Sequence, residues 1–108
     1  MQIQYDRQSR TLKVTLSGEI DHHSALDTRM EIDSQIKQLR PKKLVLDYSE
    51  VTFMDSSGIG LIMGRHRLMQ SMDGVIEVKN VPDRLYKVVK LAGIEKLGKV
   101  SAKTEVKK

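Results

Sequence analysis

Cysteine and tryptophan are absent from this chain, aromatic residues make up only 4% of it, and proline occurs twice. Without cysteine there is no disulfide framework and no thiolate metal site. With so few aromatics there is little on which to stack bases, which weighs against a single-stranded nucleic-acid platform. No apolar run approaches the roughly 20 residues that a membrane helix needs. The opening Met1-Gln2-Ile3-Gln4-Tyr5 has neither the basic region nor the apolar stretch of a secretion signal. The expected location is therefore cytoplasmic, with no membrane partner.

What is present is the composition of one soluble domain. The 108 residues are 39% hydrophobic and 31% charged, enough for a single modest core and too short for a separate catalytic domain. The net charge is +5 with a pI near 9.6. Basic residues are scattered through the first half and cluster at the C-terminus. A basic balance suits an acidic partner or nucleic acid, so a nucleic-acid module stands as an alternative that a salt-dependent gel shift tests.

Hydrophobic periodicity sets the order of elements. Met1, Ile3 and Tyr5 alternate with polar residues, as do Leu12, Val14 and Leu16, which predicts a β-hairpin across the polar stretch 6–10. Ser17-Gly18-Glu19 reads as a strand end. Ser24 reads as a helix N-cap, with Asp27 three residues on. Leu26, Met30, Ile36 and Leu39 supply that helix's apolar stripe, with Asp33 inside it, and Pro41 stops it. Leu44-Val45-Leu46 is a continuous apolar run, as in a strand covered on both faces. A second helix begins around Asp55-Ser56-Ser57-Gly58 and runs to about Met72. Asp73-Gly74 is a turn, and Val75, Ile76 and Val78 mark a strand. Pro82 opens a third helix bearing Leu85, Val88, Val89 and Leu91, ended by Gly93. A last strand falls near 97–100, and 101–108 reads as a polar tail after a domain spanning 1–100. Strands alternating with helices predict an α/β fold, a mixed sheet with right-handed crossovers.

The segment Asp55-Ser56-Ser57-Gly58 carries the chemistry. Ser and Asp are favoured helix caps because their oxygens accept orphan N–H bonds of the first turn, and capping alone accounts for such residues. Two adjacent hydroxyls exceed what one cap needs. A hydroxyl at a helix start is also well placed to carry phosphate, since free N–H groups and the positive end of the dipole favour an anion. On the following helix, Leu61, Ile62, Leu68, Met69 and Met72 share a face with Gly58 and Arg65. Ile59 and Met63 lie off that face beside Gly60 and Gly64. They either form a surface approached by a partner or pack beneath a neighbouring loop.

No arrangement for catalysis emerges. Ser56 and His66 are ten residues apart on one helix, about 15 Å, so with Asp55 they make no triad. His22-His23 diverge and lack further ligands for a metal. Asp21 and Asp47 read as solvated carboxylates at strand ends. Gly58-Ile59-Gly60 is not followed by the rest of a phosphate-loop pattern. The chain is expected to bind another protein, not to act as an enzyme, and to need no cofactor.

Two motifs, Gly18-Glu19-Ile20-Asp21-His22-His23-Ser24-Ala25 and Phe53-Met54-Asp55-Ser56-Ser57-Gly58-Ile59-Gly60, together resemble the anti-sigma factor antagonists. The Asp-Ser-Ser-Gly segment resembles the wider STAS domain family, and the Asp-His-His addition resembles its sporulation branch. The resemblance covers about 3–100 in element order. It implies a STAS fold, a mixed sheet of four or five strands with helices on one side. It implies Ser56 as phosphoacceptor and a partner that is both anti-sigma factor and serine kinase, with ATP held by that partner. It further implies a metal-dependent serine phosphatase that reverses the reaction. Asp21 matches a position linked to partner contact, and the expected docking set is Asp21, His22, Asp55, Ser56, Ser57, Gly58, Ile59 and Met63. An antagonist or scaffold subunit in a general stress pathway is the alternative within the same family. The basic charge and the tail at 101–108 have no counterpart in the resemblance.

Overall fold

The computed structural model describes residues 1–102. The chain order is β1 (Gln2–Asp6), β2 (Thr11–Ile20), α1 (His22–Leu39), β3 (Lys43–Met54), α2 (Ser56–Ser71), β4 (Val75–Val81) and α3 (Asp83–Leu91). A 3-10 turn (Ile94–Lys96) and β5 (Lys99–Ala102) follow. The strands form one sheet in the order β1-β2-β3-β4-β5. β1 is antiparallel to β2, and every other neighbouring pair is parallel. This is the expected mixed α/β sheet. Each crossover steps the same way across the sheet, so right-handed connections put all three helices on one face.

The register explains why only one face is apolar. Leu12 pairs with Leu44 and Leu44 with Ile76, while Val14 pairs with Leu46 and Leu46 with Val78. These rows are buried beneath Ile32 and Ile36 of α1, Leu61, Ile62 and Met69 of α2, and Leu85 and Val89 of α3. The opposite face carries Thr15, Asp47 and Lys79 in one row and Lys13, Val45 and Glu77 in another. Lys13 lies 3.7 Å from Asp47, and Lys43 lies 2.7 Å from Glu77. Among the described residues no helix is long and apolar enough to cross a membrane.

Several local expectations change. β2 does not end at Ser17-Gly18-Glu19; it continues to Ile20 through two register shifts, with Gly18 at φ 74°. A left-handed conformation there favours glycine, which is why a turn-like sequence sits inside a strand. The stripe of α1 is Ile32 and Ile36, flanked by half-buried Ala25 and Leu39; Leu26 and Met30 are 51% and 60% exposed. Asp33 within the expected stripe serves an ion pair instead, since its oxygen lies 2.7 Å from Nε of buried Arg65 on α2. On α3, Val88 and Leu91 are exposed, Leu85 and Val89 are buried in the core, and half-buried Tyr86 packs against it. Asp47 is not a solvated strand-end carboxylate. It is buried within β3 and accepts hydrogen bonds from the Ser49 amide and from Asn80. Burial alone would raise its carboxyl, but these bonds and the Lys13 charge outweigh it and hold the group below its ordinary value. The final strand runs into 101–102, and the rest of the expected tail, 103–108, lies outside the described residues.

Candidate functional site

The site is assembled where β2 and β3 end. Ile20 and Met54 are paired across neighbouring parallel strands, and the Asp55 amide donates to the Ile20 carbonyl at 3.2 Å. Asp21 and Asp55 are the next residues of each strand, and each caps a helix. Two motifs 34 residues apart in the chain thus become two helix N-termini emerging side by side, one strand spacing of about 4.8 Å apart at their roots. The register shifts in β2 are what align them, because β3 spends more residues than β2 over the same length.

The first N-terminus is closed by a capping box. Asp21 Oδ1 accepts from the amides of His23 and Ser24, both at 2.9 Å. The Asp21 amide in turn donates to Ser24 Oγ at 3.0 Å, and that hydroxyl donates to the Glu19 carbonyl at 3.0 Å. Ser24 is therefore the reciprocal partner of the cap and not the cap itself, correcting the sequence expectation. Its amide, joined by that of His23, holds the Asp21 carboxyl below the usual carboxylate range.

The second N-terminus is more open. Asp55 accepts from the Ser57 amide at 2.8 Å, and the Gly58 amide bonds the Asp55 carbonyl at 3.0 Å. Ser56, the first residue of α2, is exposed, and among the described residues none hydrogen-bonds its hydroxyl. Ser57 is half-buried. Gly58 is buried because the helix start lies directly on the sheet: a Cβ there would overlap Cγ and Sδ of Met54 and come within 3.4 Å of Ile20 Cγ2.

Between the helices runs a groove of about 390 Å³, lined by His22, Ala25, Leu26 and Arg29 from α1 and by Ser57, Gly60 and Leu61 from α2. These positions follow the i, i+3, i+4 spacing of one helical face on each side. The expected residues Asp21, His22, Asp55, Ser56, Ser57 and Gly58 all gather at this end of the molecule. Ile59 and Met63 do not line the groove; both are half-buried and packed against the core. Ala25, Leu26, Arg29 and Gly60 were not anticipated as site residues. The signal was available for α1, since continuing from His22 by three, four and seven residues reaches the first three of them. Ser56 and His66 lie on one straight run of α2, about 15 Å apart along its axis, so the structure does not bring them together.

This geometry has close counterparts. A family model for the STAS domain matches residues 2–106. The anti-sigma F factor antagonist of Paenibacillus polymyxa is 33% identical over 111 residues, covering 98% of this chain and 95% of that protein. The anti-sigma-B factor antagonist of Bacillus subtilis (strain 168) is 28% identical over 94 residues, covering 87% of this chain and 84% of that protein. Among solved structures, the unphosphorylated anti-sigma factor antagonist SpoIIAA superposes with a TM-score of 0.73 at 27% identity, covering 96% of this chain and 88% of that one. The phosphorylated form of the Bacillus protein gives 0.71 at 28%, covering 92% and 88%. The chain belongs to the STAS domain family, in its group of anti-sigma factor antagonists.

Proposed function

We propose that the chain is a phosphorylation-controlled antagonist that binds an anti-sigma factor in its unphosphorylated form and so releases the sigma factor. The observation that carries this is an exposed Ser56 at the start of α2, beside a groove between two helix N-termini. Support comes from the relatives, whose names describe antagonists of anti-sigma factors, and from SpoIIAA, which exists in both phosphorylation states. The partner is an anti-sigma factor with serine kinase activity. It holds the ATP and transfers the γ-phosphoryl group to Ser56 Oγ, with loss of the hydroxyl proton and departure of ADP. A serine phosphatase returns the hydroxyl by hydrolysis, releasing inorganic phosphate. The chain is a binding protein of the cytoplasm, not an enzyme, and takes no cofactor of its own.

The switch works by local charge. A phosphoserine adds about −1.5 to −2 charges at pH 7. The helix start tolerates it, since the dipole favours an anion by about 0.3–1 kcal/mol. The interface does not, because a dianion beside the carboxylates of Asp21 and Asp55 must lose water with no cation supplied by this chain's caps. A penalty of about 3 kcal/mol lowers affinity more than a hundredfold. His22, Leu26, Ser57 and Gly60 form the contact surface beside Ser56, with Asp21, Asp55 and Gly58 holding its frame and Ile59 and Met63 backing it.

Intact mass after incubation with a candidate kinase and ATP tests the proposal. One added phosphate at Ser56 is expected, absent from Ser56→Ala, which still binds the kinase. Stoichiometric phosphorylation of Ser56→Ala would transfer the role to Ser57. The similarity to an anti-sigma-B factor antagonist favours a second reading, a general stress pathway, and copurification with a sporulation-type or a stress-type kinase separates the two.

A further inference from the structure

The net positive charge is segregated along the chain. Residues 1–82 hold eleven Lys and Arg against eleven Asp and Glu, whereas residues 83–108 hold eight against three, which accounts for the whole +5. The fold adds a second segregation, end to end. All three helices start at the Ser56 end and finish at the other, where the loops 7–10, 40–42, 72–74 and 92–98 meet. Those loops are tied together: the Lys42 amide donates to the Arg10 carbonyl at 2.8 Å, Arg10 Nη2 to the Arg40 carbonyl at 2.7 Å, and the Val75 amide to the Lys42 carbonyl at 3.0 Å.

This far end presents Arg7, Arg10, Arg40, Lys42, Lys90 and Lys96, all exposed, against Asp6, Asp73 and Glu95. The Ser56 end instead carries Glu19, Asp21, Asp55 and Asp83 at or next to the strand and helix termini, with Arg84 beside them donating to the Thr52 carbonyl. Among the far-end cations stand Leu91, the last residue of α3 and 89% exposed, and Leu97, 36% exposed. Neither leucine contributes to the core.

We infer that this far end docks on an anionic phospholipid surface and holds the Ser56 end toward water. The cations come from several separate connections spread across a molecule measuring 35 × 35 × 26 Å, a distribution suited to a plane and not to the narrow track of one peptide. Leucines among lysines suit the boundary of a bilayer, where the apolar side chain enters and the ammonium groups stay with the headgroups. An anionic leaflet attracts such clusters. Stacking surfaces for nucleic acid are scarce, at 4% aromatic residues. The inference stands apart from the Ser56 proposal and uses none of its residues.

Sedimentation with phosphatidylcholine vesicles rich in phosphatidylglycerol, against vesicles of phosphatidylcholine alone, tests it. The whole chain is expected to pellet with the anionic vesicles only, and less as salt is raised. Leu91→Asp and the pair Lys90→Glu with Lys96→Glu each reduce partitioning at least tenfold, with unchanged melting temperatures because all three side chains are exposed. Ser56→Asp leaves partitioning unchanged. Absence of pelleting at low salt overturns the inference, as does binding indifferent to Leu91→Asp. Tighter retention on a polynucleotide or on polyglutamate than on vesicles overturns it in favour of nucleic acid or an acidic protein.

Discussion

The two helix N-termini at Asp21 and Asp55 invite comparison, because they grow from adjacent strands and use the same cap residue to opposite ends. At Asp21 the carboxylate accepts two amides and Ser24 answers reciprocally, so the first turn of α1 is closed. At Asp55 one amide is bonded, and the two residues that follow are serines. The first is locked; the second is left chemically open at an exposed hydroxyl. The pair shows how one architecture supplies both a closed and an open helix start: the closed cap orients the groove wall, and the open one presents the hydroxyl that we propose as the phosphoacceptor.

The largest perturbation of this pairing should come from the tie between the helices. Arg65 is 5% exposed and its charge is met by Asp33. Asp33→Ala leaves that charge buried without its carboxylate and should cost about 3 kcal/mol, read as a lower midpoint in urea unfolding. A change below about 0.5 kcal/mol would show that α1 and α2 are held together by packing alone.

Gly58→Ala comes next. The added methyl must displace buried Met54, and overpacking of this kind costs about 1–3 kcal/mol. Calorimetry should show the loss, and binding of the anti-sigma factor should weaken beyond what unfolding explains, because the start of α2 moves relative to α1.

The caps themselves can be weighed directly. Asp21→Ala should lower the melting temperature by about 4–8 °C, and Asp55→Ala by less, since it forfeits a single bond in place of a reciprocal box. Equal losses would erase the distinction between a closed and an open cap. Acid should report the same difference with a definite sign. The Asp21 carboxyl is depressed in the fold, so its contribution is present above the unfolded value of about 3.9 and is lost as pH falls through the folded value. Asp21→Asn should therefore flatten the acid limb of the stability curve below about pH 4.

The smallest effect is also the most informative about docking. A Cβ at Gly60 would meet nothing within 4 Å, so Gly60→Ala should raise stability by about 0.5–1 kcal/mol. If the groove is the docking surface, the same change lowers affinity for the anti-sigma factor even as the fold gains. Unchanged affinity would place the contact elsewhere on α2.

Much of this was legible along the chain. The alternation in β1 and β2, the apolar run of β3, the cap at Asp55 and the resemblance carried by two short motifs are local patterns, and they led to the right fold and family. The errors in the helical stripes share one cause. Leu26, Met30, Val88 and Leu91 have the residue type of a core, but helical phase places them outside it, and a stripe chosen by residue type alone missed Ile32. Ser24 and Asp21 compete for one capping role, and only the position of the β2 end decides between them.

The sequence by itself determined the elements, because period-two and helical periodicities and cap chemistry act over a few residues. It also determined that Ser56 begins a helix. Tertiary structure alone decided that Asp21 and Asp55 stand side by side, since that depends on the Ile20–Met54 pairing and the register shifts preceding it. It likewise decided that Asp33 meets Arg65 and that Asp47 is buried beside Asn80. These are contacts between residues about 30 apart in sequence. No local period encodes them; they follow from how parallel strands must be crossed over and which face of each helix then meets the sheet.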